Sequence, residues 1–116
     1  MVGSDRMLKS CIRNECTIDN TTEAFIIATD WNRKEYIITY FTHKGLTYNP
    51  DEAVSFTTLD EVMFEFKFLL GGGRKVREYF GDLSGRELSI IKVAKSINTN
   101  RIDWNKPKTV VKSIFI

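Results

Sequence analysis

A chain of 116 residues with 42% hydrophobic and 28% charged residues is long enough for one domain with its own core and too apolar to stay disordered. No apolar run approaches the ~18 residues that would span a bilayer, and no hydrophobic stretch marks a secretory leader. The formal charge of +2 conceals a segregation: residues 1–66 carry six Lys/Arg against eleven Asp/Glu, and residues 67–116 carry eleven against four.

Residues 1–6 read as an expression leader ahead of a single domain over 7–116. Cys11 and Cys16 are the only cysteines and His43 the only histidine. A bridge between the two thiols would close too short a loop to stabilise much, and a metal would need further ligands. They read as free thiols in a reducing, cytoplasmic compartment, with no metal and no cofactor expected.

The first structural unit predicted is a β-hairpin. Residues 24–29 (Ala-Phe-Ile-Ile-Ala-Thr) and 35–42 (Glu-Tyr-Ile-Ile-Thr-Tyr-Phe-Thr) are rich in β-branched and aromatic types, with Asp30 and Asn32 supplying turn chemistry between them. Apolar residues on both faces of the second strand predict an interior position. Asn49-Pro50-Asp51 predicts a type I turn, and Val54-Ser55-Phe56 a short third strand.

A helix is predicted over 59–70. Thr58 serves as N-cap, Asp60 and Glu61 favour the positive end of the dipole, and Leu59, Val62, Met63, Phe66, Leu69 and Leu70 form the apolar stripe. Phe64 and Phe68 widen that stripe, predicting burial on more than one side. Gly71 suits the C′ position, with Arg74 and Lys75 complementing the dipole. The glycines follow the helix rather than precede one, so the local field opposes phosphate binding.

The capping box Ser84 to Glu87 predicts a second helix over 85–97, with Leu88, Ile91, Ala94 and Ile97 inward. The rival reading pairs 76–80 with 87–93 as a hairpin, supported by β-branched Ile90, Ile91 and Val93. Residues 109–116 read as a last strand. The predicted class is therefore α+β: an antiparallel sheet, built from the N-terminal hairpin and the C-terminal strand, packed against one or two helices.

Residues 83–91, 99–102 and 108–110 faintly resemble the helix-turn-helix of LuxR-type transcription regulators. The stretch from Ile102 to Thr109 is too short for that motif's second helix, and the closing helix is missing, so the resemblance sets no expectation.

Three classes of function follow from the residues. The favoured one is a non-enzymatic regulatory or inhibitory protein that docks on a macromolecular partner through a charge-polarised surface. Trp31 and Trp104 are its candidate anchors, and Arg74, Lys75 and Arg77 its steering cations, directed at an acidic protein surface. The second class is nucleic-acid binding through Lys92, Lys95, Arg101, Lys106, Lys108 and Lys112. A small hydrolase or transferase comes last, requiring Cys11, Cys16 or His43 in a pocket beside carboxylates. No membrane partner is expected, and oligomeric state is left open.

Overall fold

Strand-forming residues separated by a helical stretch can bury both sets of side chains only by laying the helix across a sheet. A computed structural model describes residues 20–116; the leader 1–6 and the thiols Cys11 and Cys16 lie outside the described residues. The elements in chain order are β1 (Thr21–Thr29), β2 (Thr39–Thr42), β3 (Gly45–Thr47), a 3-10 turn (Pro50–Glu52), α1 (Leu59–Gly71), α2 (Arg74–Phe80), β4 (Glu87–Ser96) and β5 (Thr109–Phe115). The five strands form one antiparallel sheet in the order β3-β2-β1-β4-β5, with two helices packed on it. This is the expected α+β class.

β1 and β4 form the spine, paired from Thr21↔Ser96 to Thr29↔Leu88. Alternation along both strands sends Phe25, Ile27, Leu88 and Ile90 to the helical side, where they meet Val62, Phe66, Leu69 and Val76. Ala24, Ile26, Ala28, Ile91 and Val93 go to the opposite side, where no helix lies. Side chains from loops cover that side instead, Trp31, Ile38, Ala53, Ile102 and Trp104 among them. The spine is thus buried on both faces, which is why both strands read as nearly continuous apolar runs.

The region 85–97 corrects the predicted second helix: it is strand β4. The Ser84 to Glu87 capping box does not form, because Ser84 N–H turns back to Asp82 Oδ1 (2.9 Å) and Glu87 opens the strand. The side chains that sat at the margins of a helical stripe, Ile90 and Val93, each find a sheet face. The rival hairpin was right about β4 and wrong about its partner, since 76–80 lies in α2 and β4 pairs with β1 and β5. No helix-turn-helix is present over 83–110, which holds β4, turns and the start of β5 and no helix.

Smaller corrections follow the same logic. The second hairpin strand begins at Thr39, leaving Tyr36 46% and Ile37 73% exposed. Phe56 makes a single bridge to Phe25 in place of a third strand, and the expected Asn49-Pro50-Asp51 turn is 3-10, capped by Asn49 Oδ1. The left-handed residue ending α1 is Gly72 (φ 62°), one beyond the predicted Gly71. Arg74 and Lys75 therefore occupy the first turn of α2 rather than the end of α1. Gly45 lets α2 approach β3, because a Cβ there would sit 2.7 Å from the Tyr79 carbonyl oxygen.

Candidate partner-binding surface

α1 starts from a complete capping box. Thr58 Oγ1 accepts from Glu61 N–H (3.2 Å), and Glu61 Oε1 accepts from the N–H groups of Thr57 (3.1 Å) and Thr58 (3.4 Å). The cap sets the helix rotation that buries Val62, Phe66 and Leu69. With those three directed at the sheet, Phe64 and Phe68 are forced outward, to 73% and 45% exposure. This overturns the expectation that both would be buried. Four residues apart, the two rings stand on adjacent turns, about 6 Å from each other at Cβ.

Beside Phe64 lies an open groove of about 500 Å³, bounded by α1, the segment 54–57 and His43. Asp60, Glu61 and Glu65 rim it, so an apolar floor meets three carboxylates. His43 lies edge-on to the rings of Phe41 (5.6 Å) and Phe56 (6.3 Å). No hydrogen bond joins it to a nucleophile or a carboxylate among the described residues. The groove thus combines apolar surface with negative charge.

α2 supplies the opposite sign. Val76 is its one buried side chain, while Arg74, Lys75 and Arg77 are exposed together with Tyr79. Two cations in a helix's first turn oppose the dipole, at a cost of about 0.3–1 kcal/mol each, and make this end strongly positive. Arg77 Nη1 donates to the Gly72 carbonyl (2.7 Å). It also helps the Ser84 backbone N–H and hydroxyl hold the Asp82 carboxyl below its ordinary range.

The two tryptophans lie elsewhere, half-buried over the helix-free side of the sheet. Trp104 meets Tyr40 edge-to-face at 5.8 Å, and burial pushes the Tyr40 phenol up. The Trp104 Nε1 is buried without a hydrogen-bond partner. Replacing Trp104 with Ala is expected to destabilise the fold by about 2 kcal/mol, below the range for a fully buried aromatic because the indole is half-covered. Trp104→Phe, which keeps ring area and removes the orphan N–H, is expected to cost less, as urea titration of the variants will show.

The six cations proposed for nucleic acid do not gather on one surface. In a helix Lys92 and Lys95 would share a face; on β4 their odd spacing sends Lys92 to the helical side and Lys95 to the other. Lys92 is paired with Glu23 (3.2 Å), and Arg101 stands 4.0 Å from Asp51. Lys108 Nζ donates to the carbonyls of Trp104 (2.7 Å) and Lys106 (3.2 Å). Lys112 is exposed on β5. Cations of the later half are thus partly neutralised by carboxylates of the earlier half, Arg86 with Asp30 included.

That last pair belongs to a buried polar cluster that sequence reading missed. Asp30, fully buried with φ 58°, accepts from Arg86 Nε (2.6 Å), Arg33 Nη1 (3.4 Å) and Glu87 N–H (3.1 Å). Arg86 Nη2 donates to Thr29 Oγ1 (3.0 Å), and Thr29 and Thr39 hydroxyls bond each other. Glu87 accepts from Asn32 N–H (3.0 Å) and Nδ2 (3.1 Å). The cluster fastens the turn after β1 to the start of β4, and every group named in it is satisfied.

Compared with known proteins, the chain matches no family model, and no curated protein or solved structure is significantly similar to it. Among the described residues no helix is long and apolar enough to cross a membrane, and no cluster of His, Cys, Asp or Glu is arranged to hold a metal ion.

Proposed function

We propose that this chain is a non-enzymatic regulatory or inhibitory protein of the cytoplasm that docks on a macromolecular partner through its helical layer. The observation that carries the reading is the outward pair Phe64 and Phe68 on a helix whose opposite side is core. Large rings at helical spacing, rimmed by charge, have the make-up of an interface centre surrounded by orienting groups. Asp60, Glu61 and Glu65 orient basic groups of the partner at the start of α1, and Arg74, Lys75 and Arg77 attract acidic ones at α2. The cations steer the encounter, as the sequence suggests; the anchoring role passes from Trp31 and Trp104, already engaged with the sheet, to the two phenylalanines.

The test is capture of partners from the native host, followed by affinity measurement with variants. Phe64→Ala with Phe68→Ala is expected to weaken binding at least tenfold, about 1.4 kcal/mol, in a chain that stays folded, with only the part-covered Phe68 costing some stability. Reversing Arg74 and Lys75 to Glu is expected to slow association and flatten its salt dependence while leaving dissociation nearly unchanged. Full affinity in the double phenylalanine variant would remove the proposal.

A further inference from the structure

β5 is the last strand of the sheet, and among the described residues no strand lies on its outer side. Ile116 donates its N–H to the Arg86 carbonyl (3.0 Å) and accepts from Gly85 N–H (2.9 Å). Strand alternation therefore turns the N–H and C=O of Ser113 and Phe115 away from β4, into the open edge. Val110 (37%), Val111 (41%) and Phe115 (64%) are exposed along it. A seven-residue edge with this much apolar surface is a template for another strand unless something blocks it.

Two features blunt this edge, and only the second of them, Lys112, discriminates between partners. The register shift opposite Ile90 and Ile91 makes Val111 an extra, bulged residue. Lys112 projects from the strand on the same face as Ile114, two residues on, which packs against the core. Centred antiparallel pairing of β5 with a second copy would bring the two Lys112 ammonium groups together on one face, which is unfavourable. An extended segment carrying carboxylates meets no such penalty. Within β5 itself, Thr109–Phe115, Lys112 is the one charged residue and the strand carries no Asp or Glu.

We propose that β5 is the acceptor edge for an extended segment of a partner protein in which acidic and apolar residues alternate. Lys112, paired opposite Ile90, lies on the helical side, and Val110, paired opposite Ile91, on the other. An incoming strand places its carboxylates on the Lys112 side and its apolar side chains on the side of Val110 and Phe115. Main-chain hydrogen bonds to Ser113 and Phe115 supply affinity, and the alternation supplies selectivity. This surface is separate from the helical layer, and neither proposal depends on the other.

The experiment is a nuclear magnetic resonance titration of the isotope-labelled full chain with short peptides of alternating Glu and Val, against a control of alternating Lys and Val. Expected are resonance shifts confined to β5 and its neighbours, slowed amide exchange at Ser113 and Phe115, and about tenfold tighter binding of the acidic peptide. Lys112→Glu should reverse the preference, and Phe115→Pro should abolish binding by removing an outward donor. If the proline variant fails to fold, the lysine reversal decides alone. Equal binding of both peptides, shifts confined to other surfaces, or no binding overturns the proposal. So does dimerisation of the free chain through β5, or a DNA oligonucleotide shifting these resonances where the acidic peptide does not.

Discussion

Replacing Phe66 with Ala is expected to destabilise the protein by about 3–5 kcal/mol, the largest effect of any single core truncation considered. The ring is fully buried where α1 crosses the sheet, among Phe25, Ile27, Val62, Leu69, Leu88 and Ile90. Strands supply one wall of the site and α1 the other, so the space left by the ring closes only in part. A domain of this size has about 5–15 kcal/mol of stability in all, so the variant should lose a large part of its resistance to urea. The informative control lies two residues away. Phe64→Ala is expected to stay within about 0.5 kcal/mol of the parent, because it removes exposed surface and gains helix propensity. Equal losses at 64 and 66 in urea titrations would mean that α1 is rotated from the position described, and the docking surface would go with it.

Asp30→Ala is the second large effect, expected at about 3 kcal/mol. Removing one member of a buried ion pair leaves the other charge uncompensated, at about 3–5 kcal/mol when both are buried. Here Asp30 is fully buried while the side chains of Arg86 and Arg33 are 30% and 23% exposed, so water recovers part of the loss. The variant also orphans the Glu87 N–H and places a Cβ residue without local hydrogen bonding in the left-handed region. Asp30→Asn separates these terms. Asn tolerates that backbone and still accepts from Glu87, so its cost reports the charge interaction with the two arginines together with the lost acceptor for Arg86 Nε. Unfolding titrations of both variants, and of each combined with Arg86→Met, give the coupling directly. An alanine variant as stable as the parent would show that the cluster does not hold the turn to β4.

Much of the architecture is legible in local chemistry. The strand at 24–29, the cap at Thr58, the helix it opens and the C-terminal strand each have consistent propensity, pattern and boundary residues, and each is found within a few positions. The charge segregation is equally plain in the chain. Its spatial meaning is not, because three of the later cations are neutralised across the fold by Glu23, Asp51 and Asp30.

What local chemistry does not contain is which faces are covered. Leu88 and Ile91 satisfy a helical period, and Leu88, Ile90 and Ile91, Val93 satisfy two faces of a strand. Only the presence of α1 beneath and of Trp31 and Trp104 above makes the strand the better burial. Phe64 and Phe68 look like core beside Phe66 until α1 turns Val62, Phe66 and Leu69 to the sheet and leaves the two rings on its outer side. Asp30 reads as a turn residue, since Arg86 stands 56 positions away. Sequence by itself determined the elements whose stabilising contacts lie within one turn or one strand. Tertiary structure alone decided the state of 87–96, the outward rings and the buried ion pair, because each depends on surface contributed by distant parts of the chain.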